Sequence, residues 1–200
     1  MSDSPISGTD YFALVTYTPE PVRDWLIQLR RELAVETTSE PHITLLPPRP
    51  LTIPAEQARQ RISSALDRWS AFEVELTNLQ VFPGTNVLYL EISDGSAEIQ
   101  ELHSTLNAGE FLHQEIFDFH PHLTVGGPIR PEELDGIFKK AVHAWTISGY
   151  PCRFWVEEFA FVGISTGDAG REWNRLWSYR MRPASLQARA KSASVTNRTS

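Results

Sequence analysis

Apolar residues recur at three- and four-residue steps in four stretches of the chain. Val22, Trp25, Leu26, Leu29 and Leu33 line one face of a helix that Pro19 opens. Ala58, Ile62, Ala65, Leu66 and Trp69 predict a second helix, and Ile99, Leu102 and Leu106 a third. After Pro131, the positions Leu134, Ile137, Phe138, Ala141, Val142 and Trp145 predict a fourth with the clearest period. Elsewhere the alternation is two-residue, as in a half-buried strand: Tyr11–Tyr17, Phe72–Phe82, Val87–Ile92, Cys152–Val162 and Trp173–Met181, with Pro83-Gly84 as the turn after Phe82. Helices and strands interleave along the whole chain.

The pattern repeats once, at an offset of 80 residues. Pro41-His42-Ile43-Thr44-Leu45 returns as Pro121-His122-Leu123-Thr124-Val125, and Phe72, Val74 and Leu76 match Cys152, Phe154 and Val156 in apolar phase. Both later strands then slip by one residue, resuming at Leu79 and Val81 and at Phe159 and Phe161, as a bulge at the same place in each would require. Two copies of a strand–helix–strand–helix–strand unit follow, about 11–82 and 86–163, with Trp173–Met181 as an added strand. Two copies are too few for a solenoid, so a pseudo-twofold pair sharing one body, residues 10–182, is expected.

Composition narrows the function. Apolar residues at 41% and charged residues at 22% are ordinary globular usage, which excludes a disordered, collagenous or coiled-coil chain. The formal charge of −7 argues against a general binder of nucleic-acid backbone but leaves room for a small phosphate-bearing substrate. The ends, 1–9 and 183–200, are poor in large apolar groups and are expected to be flexible. The second of them carries Arg189, Lys191 and Arg198 with no acid, so it is a basic tail on an acidic body. One cysteine, Cys152, excludes an internal disulfide framework and suits a reducing compartment. No stretch has the pattern of a signal peptide or membrane span, so a soluble, cytoplasmic monomer is the expectation.

Strand geometry turns the repeated pentapeptide into chemistry. His42 and Thr44 project to one face while Ile43 and Leu45 project to the other, and the same holds for His122 and Thr124 against Leu123 and Val125. If the copies face each other across a cleft, two imidazoles and two hydroxyls converge on it. A neutral imidazole takes a proton from an attacking hydroxyl, a protonated one gives a proton to the departing oxygen, and the threonines hold the phosphate oxygens. That set suits phosphodiester chemistry and requires no metal or other cofactor.

The paired H-x-T motifs, each after a proline, resemble the two-histidine phosphoesterase superfamily, and most closely its 2'-5' RNA ligase and RNA 2',3'-cyclic phosphodiesterase branch. Tyr11-Phe12-Ala13-Leu14, the run from Pro41 to Pro48 and the Phe82-Pro83 turn into Val87-Leu88-Tyr89-Leu90 extend the resemblance over roughly residues 11–181. It implies an α+β, bilobal fold with two antiparallel sheets around a central cleft and helices packed outside. It further implies His42 and His122 as the acid/base pair and Thr44 and Thr124 as phosphate ligands. The implied substrate is a 2',3'-cyclic phosphate at an RNA terminus or on a small nucleotide. Ligation through a 2'-5' linkage and hydrolysis of another cyclic phosphate, such as one on ADP-ribose, are the alternatives within that family. A binding module that recognises a phosphorylated nucleotide without turnover is the alternative outside it.

Other residues carry weaker signals. His120 and His122, with His113 nearby, invite a metal reading, but no carboxylate or thiol sits at a suggestive spacing and the first copy has no matching second histidine. His103 and His143 fall on helices and are expected at surface or boundary positions, and Cys152 is expected to be a small buried group. Arg49 and Arg130 follow the two threonines at similar spacing and are expected to be loop residues outside the catalytic set. Tyr11, Phe82, Tyr89 and Trp155 lie on elements that approach the cleft, although core packing is the default for aromatic residues.

Overall fold

A computed structural model describes residues 11–35, 39–149, 152–167 and 170–190. Eight strands and four α-helices follow one another as β1 (Tyr11–Tyr17), α1 (Val22–Glu32), β2 (His42–Pro50), α2 (Ala55–Leu66), β3 (Phe72–Val81) and β4 (Leu88–Ile92). The order continues with α3 (Ser96–Leu106), β5 (His122–Gly126), α4 (Pro131–Ile147), β6 (Arg153–Val156), β7 (Glu158–Gly167) and β8 (Gly170–Arg180). The strands form an antiparallel sheet in the order β6-β3-β4-β5-β2-β1-β7-β8. Helices α1, α2 and α3 turn Leu26, Ile62 and Ile99 onto one buried core shared by both halves. The fourth helix buries only Ala141 fully, despite its clear apolar period. Its Trp145 instead packs on Trp25 and donates its indole N–H to the Thr77 carbonyl.

The 80-residue echo is built into the pairing. Ile43 pairs with Leu123 where β2 meets β5, and Val74 pairs with Phe154 where β3 meets β6. Each residue meets its own repeat partner, so the pseudo-twofold axis passes through both pairs. The half β3-β4-β5 and the half β2-β1-β7 join along the first of them. Only Glu157 separates β6, at one edge, from β7, beside the other. That short link draws the flanks together, and the sheet curls into a half-barrel.

The predicted shared slip is present but differs between copies. In the first copy the β3–β4 register shifts between Leu76 and Leu79, whereas in the second the strand breaks at Glu157 into β6 and β7. Both irregularities lie where a strand changes partners. Helix α1 begins at Val22, leaving Pro19 in the preceding turn, and α2 ends at Leu66, short of Trp69. Strand β2 runs on through Pro47, Pro48 and Pro50. It pairs with β5 only at Ile43 and continues beside β1 alone, so the proline nitrogens break no ladder on that side. Of the tail, residues 186–190 are helical, and Arg189 lies over the Trp155 ring and pairs with Glu157. Residues 191–200 and 1–10 lie outside the described residues.

Candidate active site

The two motifs fold alike because their burial alternates alike. Pro41, Ile43, Leu45 and Leu46 are buried, as are Pro121, Leu123, Val125 and Gly126, and the histidine and threonine of each motif are half-buried between them. Pairing Ile43 with Leu123 in antiparallel sense sets His42 opposite Thr124 and Thr44 opposite His122. All four therefore occupy one face as a crossed square. Opposed Cβ atoms in such a pair lie about 4.5–5.5 Å apart and diagonal ones about 7–8 Å, which sets the two imidazoles at opposite corners of the square.

Both imidazoles are locked in the same way. The Nδ1 of His42 lies 2.7 Å from the Glu40 carbonyl oxygen, and the Nδ1 of His122 lies 2.7 Å from that of His120. A carbonyl only accepts, so Nδ1 carries the hydrogen and Nε2 is left to exchange protons in the cleft. Burial pushes both imidazoles below their ordinary pKa, opposed by these backbone hydrogen bonds. The Arg30 cation lowers His42 further, and His120 and His42 lower His122. The mutual repulsion disfavours double protonation and favours a pair holding one proton.

Two hollows flank the square. One, about 540 Å³, includes Thr44 and His122 in its lining, and the other, about 940 Å³, includes His42 and Thr124. Arg30 reaches the second hollow from α1 and donates to the carbonyls of Val125 (3.0 Å), Ser39 (2.9 Å) and Thr124 (2.9 Å). Among the described residues, no carboxylate lies within ion-pair distance of this guanidinium, and burial pushes its pKa down to about 10. The cation thus binds the backbone of the second motif and of Ser39, two residues ahead of the first motif, and leaves positive charge beside His42. Its signal in the sequence was a charge one turn beyond Leu26, inside the apolar stripe of α1.

Aromatic rings bracket each histidine. Phe82 and Tyr89 stack at 3.9 Å and present their rings edge-on to His122, at 4.8 and 5.6 Å. Tyr17, paired with His42 across β1 and β2, and Trp173 stand 6.2 and 5.5 Å from the His42 ring. Sequence reasoning named Phe82 and Tyr89 but missed Tyr17 and Trp173, whose place depends on the β1–β2 and β7–β8 registers. Tyr11 is exposed at the far end of β1, and Trp155 sits on β6 under Arg189.

The remaining expectations divide. Arg49 is a buried strand residue, not a loop one; it binds Glu115 at 2.7 Å, Asn107 Oδ1 at 2.6 Å and the Phe111 carbonyl at 2.8 Å. Arg130 is exposed on the rim of the larger hollow and pairs with Glu133. His103 is buried, not at the surface, with Nδ1 2.8 Å from the Leu45 carbonyl and its ring stacked on Phe119 at 3.6 Å, while His143 is exposed. Cys152 is only half-buried, 3.9 Å from a Glu75 carboxylate oxygen. His113 and His120 line the smaller hollow, and among the described residues no three His, Cys, Asp or Glu side chains group as metal ligands.

Residues 18–168 match the sequence profile of the 2'-5' RNA ligase superfamily. The chain belongs to that superfamily. Its relatives include a Halalkalibacterium halodurans protein named as a phosphoesterase, 33% identical over 104 residues that span 48% of this chain and 60% of that protein. A Geobacillus kaustophilus protein of the same name class is 24% identical over 138 residues, 64% of this chain and 76% of its own length. Two solved structures share the superfamily member's fold. Escherichia coli LigT complexed with phosphate superposes with a TM-score of 0.60 at 17% identity, over 88% of this chain and 99% of LigT. TT0787 of Thermus thermophilus superposes at 0.59 with 19% identity, over 88% of this chain and 100% of its own.

Proposed function

We propose that this chain hydrolyses 2',3'-cyclic phosphate ends of RNA or small nucleotides without a metal, with His42 and His122 as the acid/base pair and Thr44 and Thr124 as phosphate ligands. The observation that carries the reading is the crossed square with its two identically locked imidazoles. Water attacks the phosphorus while the neutral imidazole takes its proton through Nε2. The bond from phosphorus to one ribose oxygen breaks, and the imidazolium across the square protonates that oxygen. Threonine hydroxyls donate to the non-bridging oxygens, an interaction that strengthens as negative charge develops there. Membership in the superfamily supports phosphoester chemistry, and Escherichia coli LigT, solved in complex with phosphate, has the same fold.

The same residues run the reaction in the joining direction when a ribose hydroxyl replaces water, and they act equally on a cyclic phosphate of ADP-ribose type. A module that only binds a phosphorylated nucleotide has no use for two proton-transferring nitrogens. We place the activity in a monomer in the cytoplasm. Among the described residues no helix is long and apolar enough to cross a membrane.

The test is turnover of 2',3'-cyclic nucleotides in the presence of chelator. His42→Ala and His122→Ala should each reduce kcat by about 10²–10⁴-fold. Activity that survives both substitutions, or needs added metal, removes the mechanism. Tight calorimetric binding of a nucleoside 2'-phosphate with no turnover of any cyclic phosphate favours the binding module.

A further inference from the structure

Little backbone joins the two sides of the square. Between the described residues of β2 and β5 the ladder consists of one pair, Ile43 with Leu123. Continuing that register sets Pro121 opposite Leu45 and Pro41 opposite Val125, and a proline has no N–H to give to a facing carbonyl. One pair is a pivot: it fixes a distance and leaves the angle between the strands free. The carbonyls beyond it are met by side chains instead. His103 Nδ1 lies 2.8 Å from the Leu45 carbonyl oxygen and so carries the hydrogen, and Arg30 donates through Nε to the Val125 carbonyl at 3.0 Å.

These two side chains are counterparts under the 80-residue echo. Arg30 stands in the last turn of α1, between β1 and β2, and His103 in the last turn of α3, between β4 and β5. Leu45 and Val125 are 80 residues apart, so each helix reaches the equivalent carbonyl of the other copy's motif. Each also holds its own copy one residue ahead of the carbonyl that locks the imidazole. Arg30 donates to the carbonyl of Ser39, ahead of Glu40, at 2.9 Å. The His103 ring stacks on Phe119, ahead of His120, with ring centres 3.6 Å apart and planes at 4°. Ser39 and Phe119 are again 80 residues apart. A guanidinium and an imidazole thus occupy one place in the duplicated fold, and both are buried, at 7% and 5% exposure.

We propose that His103 is a positioning residue for the acid/base pair, the counterpart of Arg30 at the opposite end of the square. Through Leu45 it sets Thr44, and through Phe119 it sets the His120 carbonyl that locks His122. His103 is not among the described residues that line the two hollows, so it acts through its neighbours. Its Nε2 faces the Glu115 carboxylate at 3.6 Å, and Arg49 holds that carboxylate at 2.7 Å, so the ring is fixed on every side. The inference rests on the phosphodiesterase reading for its effect on rate, whereas its effect on the His122 lock stands apart from that reading.

The two arms separate by mutation. His103→Asn keeps an N–H near the Nδ1 position and removes the ring, while His103→Phe keeps a ring and removes the donor. Phe119→Ala takes away the stack from its other, half-buried side and leaves His103 in place. Ring-nitrogen NMR at about pH 8, where imidazoles with pKa below about 6.5 are neutral, reports which nitrogen carries the hydrogen. His103→Asn and Phe119→Ala should shift His122 towards the Nε2–H form and leave His42 in its Nδ1–H form. His103→Phe should leave both rings as they are and lower kcat on adenosine 2',3'-cyclic phosphate about tenfold, with KM within about threefold, because the Thr44 hydroxyl acts most strongly in the transition state. Unchanged His122 signals in both stack variants overturn the inference. So do His42 signals that move as far as those of His122, or a kcat in His103→Phe that follows only the folded fraction read from its melting curve. If the His103 variants do not fold, Phe119→Ala decides by the same signals. If the natural chain turns over no cyclic phosphate, the phosphodiesterase reading falls by itself, and His103 is judged on the His122 signals alone.

Discussion

Two imidazoles with the same backbone lock do not titrate alike when their neighbours differ. Burial lowers both, and Arg30 adds its charge on the His42 side only. Both folded-state values lie below the ordinary value of about 6.5, so the singly protonated pair is most populated on the acid side of that value. The pH profile of kcat/KM is therefore expected to be bell-shaped with its maximum below about 6.5, falling towards pH 8 as the last shared proton is lost. Removing the Arg30 charge should raise the His42 pKa, because the lost interaction is repulsive. Arg30→Met should move the limb that His42 governs to higher pH, and Arg30→Lys, which keeps the charge, should leave it in place. NMR titration of the His42 ring provides the same comparison directly. An unmoved limb in Arg30→Met means that the guanidinium acts only as a tie between backbone carbonyls. That tie is itself substantial, since the buried Val125 carbonyl and the part-buried carbonyls of Thr124 and Ser39 lose this donor in the methionine variant, which should melt earlier for that reason.

At the scale of elements, local chemistry decides how much a sequence reveals. The H-x-T strands were legible because a period of two fixes which side chains share a face, and the 80-residue echo was legible because both copies keep one register. The square's crossed pairing was not, since it follows from an antiparallel contact between distant strands. Nor was the break at Glu157, which replaces a bulge by a change of sheet partner. The 107–119 loop left no periodic trace, because its shape depends on buried Arg49 and on His103 under Phe119. Gly95, at the start of α3, is the turn where such a dependence is sharpest. Its φ is +81°, and a Cβ there would stand 2.6 Å from the Glu73 carbonyl oxygen and 2.8 Å from Val74 Cγ2. Gly95→Ala should therefore cost about 2–3 kcal/mol, from the left-handed backbone and from a displaced β3 that carries the axis pair Val74–Phe154. Chemical denaturation measures it, and a loss under about 0.5 kcal/mol means that β3 yields freely.

For the molecule as a whole, the curl of the sheet and the distribution of charge act together on what can bind. Joining β6 to β7 through one residue closes the half-barrel around its twofold pairs, so the site lies in a bounded cleft and not on an open sheet. The chain is acidic, with 25 Asp and Glu against 18 Lys and Arg, and among the described residues the Lys and Arg side chains lining the cleft hollows are Arg30 and Arg130. A long single strand gains affinity chiefly by exchanging counterions for lysine and arginine contacts, each contributing about −0.7 to the slope of log K against log salt. Two such contacts give a slope no steeper than about −1.4. The cyclic-phosphate end of a 20-nucleotide RNA should accordingly be turned over with kcat/KM within about fivefold of a dinucleotide bearing the same end, and both should respond alike to added salt. Steady-state rates across a salt series decide the matter. A slope near −4 for the long strand alone would require a basic track over the surface, and the acidic body would then be the wrong guide to substrate size.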